Sequence, residues 1–266
     1  MKQKWNAAMA WIKSLFQKGS SGVVKGGEVV VEKPRPNQDE LTPGDPKLII
    51  PFAHYVNGGM GFKGTYKHGY PQGAIVHYTA GRFAGGLRKA LDTMAGGKEN
   101  GFTFLVISED GEVVQGFPLD KWGWHAGQSS HPSFKGSASD KLIGIEICNG
   151  GLLERRGDKF FTWYGLEIPK DQVRHIATRT ANQSVGFYHK YTDAQENALI
   201  HLLLWLKRNN PAVFNFDLVL GHDETTVLDS NRSRKQDPGG SLSMSMPEFR
   251  NHLKVLWNQE QKKKLS

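Results

Sequence analysis

A single cysteine, Cys148, stands in a chain of 266 residues, so a framework of intrachain disulfides is excluded and the fold must rest on its core. Long apolar runs are also missing. The longest, around Leu199 to Leu206, falls well short of the roughly 20 residues that span a bilayer, and it sits among helix signals. The first residues lack the parts of a secretory signal. Lys2 and Lys4 precede only a short apolar segment, Trp5 to Ile12, and then come Lys13, Gln17 and Lys18 with no small-residue cleavage site. Synthesis in a reducing cytosol without an export signal is therefore expected. Acidic residues are in deficit. Against 34 Lys and Arg there are 26 Asp and Glu, giving a net charge of +8 and a pI near 9.4. That balance points to an anionic partner: nucleic acid, anionic lipid or cell-wall polymer. No zinc finger, helix-turn-helix or aromatic RNA-binding pattern accompanies the charge, so nucleic acid is not expected. What the chain does have is 38% hydrophobic residues, enough for one sizeable core with appendages.

Residues 2–18 read as an amphipathic helix, with Trp5, Ala8, Met9, Ile12, Leu15 and Phe16 at helical spacing. Such a helix suits an anionic membrane, a partner, or its own domain. Residues 19–47, rich in Gly, Ser, Pro and charge, read as a linker with Val29 to Val31 as a candidate edge strand. The domain proper is placed over residues 48–260. Its expected elements are a strand from Gly73 ending at His77, a short helix over Leu87 to Met94, and a hairpin of Thr103 to Ser108 with Val113 to Gln115 across Glu109-Asp110-Gly111. A central strand over Leu142 to Cys148 follows, with Ile143, Ile145 and Ile147 on one face. A basic insertion occupies about 150–190 and pairs Leu152 to Arg156 with Phe160 to Tyr164 as an arm. Thr192-Asp-Ala-Gln195 opens a helix that runs to about Arg208. Phe216 to Leu220 reads as a strand, Met246 to Trp257 as a last helix, and Lys262 to Lys264 as a frayed tail.

The most informative stretch is Val219 to Gly240. It puts His222 at the end of an apolar run and Asp237 on a Pro-Gly turn, with Lys235 two residues before it. Side chains two apart in an extended segment point the same way, so a ligand and a cation would share one site. Catalytic zinc sites usually have three protein ligands and an open position. A second histidine, His77, leaves the strand Gly73-Ala-Ile-Val-His77 into a Thr-Ala-Gly turn. Glu146 lies inside the central strand, where a carboxylate is costly to bury without a purpose. It is a candidate general base, with a structural salt bridge as the alternative. His125, in Trp122-Gly-Trp124-His125-Ala-Gly127, can be a third histidine at a metal, a donor to a transition state, or a groove residue. Cys148 reads as a small buried residue.

The blocks GAIVHYTAG, GFTFLVISEDGEVVQ, WGWHAGQS, LIGIEI and GHDE…RKQDPG occur in that order from Gly73 to Gly240. Together they resemble the zinc-dependent N-acetylmuramoyl-L-alanine amidases, the type 2 family shared by phage lysins, bacterial muropeptide amidases and peptidoglycan recognition proteins. The resemblance implies an α/β fold, a mixed central β-sheet flanked by helices on both faces. It implies one Zn2+ held by His77, His222 and Asp237, with Glu146 as general base and Lys235 stabilising the oxyanion. The bond cut would be the amide between N-acetylmuramic acid and L-alanine. The resemblance assigns His125, Trp124, Tyr78 and Thr103 to the substrate groove; at Thr103 many catalytic members carry tyrosine. Recognition relatives that bind peptidoglycan without cleaving it typically lose a metal ligand, and here all three are present. The expected setting is a monomeric, endolysin-like phage lysin that acts on the bacterial wall.

Overall fold

The computed structural model describes residues 31–32, 46–56, 61–102, 104–180, 183–226 and 235–265. The helix expected over residues 2–18, with its membrane or partner contact, lies outside these, as does nearly all of the linker. A seven-stranded mixed sheet organises the domain. Its order is β1 (Val31–Glu32), β2 (His54–Val56), β6 (Val113–Gln115), β5 (Phe104–Ile107), β10 (Leu142–Ile147), β4 (Gly73–Tyr78) and β16 (Val219–Gly221). The strands β5, β10, β4 and β16 run parallel, whereas β5 and β6 form the antiparallel hairpin across Gly111, which takes a φ of 86°. Both β4 and β10 are almost wholly buried, which is why each reads as a continuous apolar run.

Helices cover both faces. On one, α1 (Gly86–Glu99) sets Ala90 and Met94 against Phe104, Val106 and Val114. On the other, α2 (Asp193–Asn209) and α4 (Met246–Leu265) bury Leu199, Leu203, Trp205 and Phe249 against Ile143, Ile145 and Ile147. Thr192 caps α2 in the expected box: its side chain accepts from Gln195 N, and Gln195 Oε1 accepts from Thr192 N, both at 3.1 Å. A one-turn helix, α3 (His222–Thr225), follows β16 directly.

Several elements differ from expectation. Helix α1 continues five residues past Met94, because Gly96-Gly97 is not a stop. Gly97 lies on the Phe104 ring, where an added Cβ would sit 2.1 Å from Phe104 Cζ, whereas one at Gly96 would meet nothing within 4 Å. Gly97→Ala is therefore expected to cost about 1–3 kcal/mol through overpacking, and Gly96→Ala to add about 0.5–1 kcal/mol by removing chain entropy. Denaturant midpoints of the two variants should move in opposite directions. Phe216 to Leu218 forms a 3-10 turn, with Asn215 Oδ1 accepting from Asp217 N at 2.9 Å, so the chain joins the sheet only at Val219. Helix α4 extends through the lysine tail to Leu265, and Lys264 pairs with Glu260 at 3.4 Å. Val31 does reach the sheet edge, paired with Val56.

The insertion is a second, antiparallel sheet of order β13 (Glu167–Ile168), β12 (Lys159–Phe161), β11 (Leu152–Arg156), β15 (Gly186–His189) and β14 (Val173–Ile176). The expected arm is its β11–β12 hairpin. Its cations are matched within the second sheet: Lys159 with Glu167 of β13 at 2.9 Å, Arg156 with Glu154 at 2.8 Å, Arg155 with Asp158 at 3.8 Å. Arg174, on β14, instead donates to the carbonyls of Gly240 and Ser241, tying the second sheet to the segment after Asp237. Two short pairs, β3 (Gly64–Thr65) with β7 (Lys121–Trp122) and β8 (Gln128–Ser129) with β9 (Gly136–Ser137), flank the segment that carries His125. Among the described residues no helix is long and apolar enough to cross a membrane.

Candidate metal centre and active site

The site forms at the carboxyl ends of β4, β10 and β16, where side chains leave a parallel sheet into open space. His77 and Glu146 are register partners on the adjacent strands β4 and β10, so imidazole and carboxylate stand side by side. His222 is the first residue of α3. That turn is pinned by Glu224, which accepts from Gly221 N at 2.8 Å and from the two terminal guanidinium nitrogens of Arg250 at 2.8 and 3.0 Å. The Asp237 segment is drawn against α3 by Asp223 N donating to the Asp237 carbonyl at 3.1 Å. Gly221 allows this approach, since a Cβ there would lie 2.9 Å from Pro238 Cδ.

Three buried donor atoms converge. His77 Nδ1 and His222 Nδ1 are 3.0 Å apart, and each lies 2.9 Å from Asp237 Oδ2. His222 Nε2 donates to the Ala126 carbonyl at 3.0 Å, which turns Nδ1 toward His77 and Asp237. Two imidazole nitrogens and a carboxylate oxygen on a triangle of this size can hold a metal ion. Tetrahedral zinc with donors at 2.0–2.1 Å needs edges of about 3.3 Å, so a small outward movement fits the ion. Two nitrogens and one oxygen suit zinc better than calcium or magnesium, which prefer all-oxygen sites.

Electrostatics agree with that use. Burial is the main force that brings the His77 pKa down to about 4, with His222 adding to it, so the ring is neutral at pH 7. Burial alone would raise Asp237, but His222 and His77 outweigh it and hold the carboxyl well below its ordinary value. Burial pushes Glu146 up to about 8, Asp237 adds to this, and Lys235 opposes it. Glu146 Oε2 is shut off from solvent with no hydrogen-bond partner among the described residues.

Of the other expected site residues, His125 adjoins the triangle and the other described ones lie apart from it. Trp124 is 43% exposed and packs edge-on against Trp122. Tyr78 packs against the main core cluster, its ring covering Gly151 and its hydroxyl bonded to the Leu152 backbone. Thr103 lies outside the described residues. His125 uses both ring nitrogens inside the protein, Nδ1 with His77 Nε2 at 3.1 Å and Nε2 with the Leu142 carbonyl at 2.8 Å. Sequence reasoning missed the supports. Tyr191 donates to the His77 carbonyl at 3.0 Å, and Trp163 and Tyr164, in the turn between β12 and β13, donate to the carbonyls of Ala80 and Gly81. Ala80 itself has a φ of 46°, an uncommon conformation just past His77. No local pattern marks these residues, because each acts across more than 80 positions of sequence.

Residues 67–240 match the family model described as N-acetylmuramoyl-L-alanine amidase. No curated protein matches the chain. Among solved structures, a selenomethionine derivative of AmpD is 22% identical over 78% of this chain and 97% of its own, with a TM-score of 0.48. The endolysin amidase LysCS from Clostridium intestinale is 14% identical over 79% of this chain and 98% of its own, with a TM-score of 0.41. AmiD from E. coli, solved with its substrate anhydro-N-acetylmuramic acid-L-Ala-D-γ-Glu-L-Lys, is 19% identical over 67% of this chain and 57% of its own, with a TM-score of 0.40. The family match takes in well over half of the chain, with His77, Glu146, His222 and Asp237 all inside it; the protein belongs to the N-acetylmuramoyl-L-alanine amidase family.

Proposed function

We propose that this protein hydrolyses the amide between N-acetylmuramic acid and L-alanine of bacterial peptidoglycan, using one zinc ion held by His77, His222 and Asp237. The observation that carries this reading is the buried triangle of two imidazole nitrogens and one carboxylate oxygen beside Glu146, whose Oε2 has no hydrogen-bond partner among the described residues. Zinc supplies Lewis acidity for an acyl carbonyl and makes water acidic near neutral pH. Glu146 takes the proton of the attacking water and returns it to the departing amine nitrogen. A carboxyl with a pKa near 8 suits both halves of that transfer. Lys235, close enough to act on both His77 and Glu146, places positive charge where the carbonyl oxygen becomes negative. Trp124 offers an exposed aromatic face for a sugar ring.

The setting we favour is an endolysin-like lysin acting as a monomer on the wall, which the net charge of +8 suits because bacterial walls are anionic. End-group analysis of purified peptidoglycan after digestion tests the reaction. New amino termini of L-alanine without new reducing sugars are expected. New reducing ends without alanine termini would replace the amidase reading with a glycosidase, and binding without either product would make the protein a recognition module.

A further inference from the structure

Resting on that reading of the metal site, we propose that Asn149 is a positioning residue. Its buried amide holds the turn that follows Asp237 against the strand ends that carry His77 and Glu146, and so sets the donor triangle before a metal arrives. Asn149 lies three residues past Glu146 and is fully buried. Chemistry fixes which end of its amide faces which neighbour. The Gly151 N–H can only donate, and it meets one end at 2.7 Å. The Lys190 carbonyl can only accept, and it meets the other at 3.0 Å. Oδ1 is therefore toward Gly151 and Nδ2 toward Lys190. The second lone pair of Oδ1 accepts from the Ser241 hydroxyl at 3.3 Å. The Asn149 backbone is held as well. The Thr79 hydroxyl accepts from its N–H at 3.2 Å and donates to its carbonyl at 3.3 Å.

Each partner belongs to a different part of the site. Thr79 lies two residues past His77. Ser241 ends the 3-10 turn Gly239–Ser241, which follows Asp237 and Pro238. Gly151 and Lys190 are where the chain leaves for the second sheet and returns from it, so the same amide closes the neck of that insertion. Tyr191, next to Lys190, completes the circuit. Its N–H donates to the Ser241 carbonyl at 2.8 Å and its hydroxyl to the His77 carbonyl at 3.0 Å. The Asp237 turn thus reaches the His77 strand both through Asn149 and Thr79 and through Tyr191. Asn149 acts on the backbone of the ligand segments. That matters because the donors of a metal site must keep their places to within about half an ångström, and His77 and Asp237 come from segments 160 residues apart.

Competition of the full-length, metal-free protein against a chelating dye reads zinc affinity, and the urea midpoint of the same sample reads stability. Asn149→Ala should lower the midpoint. In the absence of urea, where circular dichroism shows the native fold, it should also bind zinc on the order of 10-fold more weakly, the low end of what supports outside the ligand shell contribute. Ser241→Ala, which removes one hydroxyl and leaves the neck closed, should weaken binding by a smaller factor, and it carries the test if Asn149→Ala does not fold. Gly97→Ala is the control. It is destabilised by crowding Phe104 and should bind zinc as the wild type does. A merely structural Asn149 would behave in the same way, with a lower midpoint and unchanged affinity. Unchanged affinity in folded Asn149→Ala, or in Ser241→Ala where the first does not fold, would overturn the inference and leave the metal site itself standing. So would an equal loss of affinity in Gly97→Ala. A wild type that binds no zinc would remove the metal reading and this inference with it.

Discussion

Replacing His77 by alanine is expected to remove both zinc retention and peptidoglycan cleavage, with metal content after gel filtration falling from one ion per chain to background. The reason is the small size of the donor set. Three donors converge, His77 Nδ1, His222 Nδ1 and Asp237 Oδ2, and catalytic zinc sites rarely manage with fewer than three protein ligands. A missing imidazole also takes away one of the two ring nitrogens that close on Asp237 Oδ2, since His77 Nδ1 and His222 Nδ1 each lie 2.9 Å from it. The fold should survive, since His77 lies at the end of a strand whose apolar residues Ala74, Ile75 and Val76 are fully buried without it. A folded His77→Ala protein that kept both zinc and lysis would remove the ligand assignment.

Glu146→Gln should keep zinc and lose turnover by a factor on the order of 10² to 10⁴, the usual contribution of a general acid–base group. It should also change stability in a way that depends on pH. In the folded, metal-free protein burial lifts the Glu146 pKa from 4.5 to about 8. Between those two values the unfolded chain ionises this carboxyl and the folded one keeps it protonated. Unfolding then releases a proton, so stability falls as pH rises from about 4.5 to about 8 and is flat beyond. Glutamine has no such dependence. The metal-free variant should match the wild type near pH 4 and exceed it by a few kcal/mol, on the order of the linkage limit, near pH 8. Urea midpoints at the two pH values read this directly. Equal midpoints at pH 8 would mean that Glu146 is not desolvated, and near-native turnover would remove it as the base.

The fold was legible where periodicity and end signals agreed. Thr192 and Gln195 form the capping box that their spacing announces, and Ile143, Ile145 and Ile147 do share one face of β10. It was not legible where a tertiary contact overrides a local rule. Gly96-Gly97 looks like a helix stop, yet Gly97 is the place where the Phe104 ring comes within reach of the helix backbone. Most of the second sheet was missed because its strands are short and partly exposed, so neither alternation nor length sets them apart from loops. At the site, residue types and order led to His77, His222 and Asp237, which the fold brings together, and to Glu146, the register partner of His77. What sequence order does not carry is which atom of a ring faces which neighbour. The hydrogen bonds of His125 to His77 and Leu142 join positions 48 and 17 residues apart, and only the folded geometry reveals them.

The central claim is a zinc amidase built on His77, His222 and Asp237, and zinc titration of chelator-stripped protein with parallel assay tests it most directly. The stripped protein should release no alanine-terminated peptide from purified peptidoglycan. Zinc should bind to one equivalent per chain, and cleavage should rise in proportion and level off at that equivalent. Full cleavage by the stripped protein, or stoichiometric zinc binding with no cleavage on purified peptidoglycan, would contradict the account.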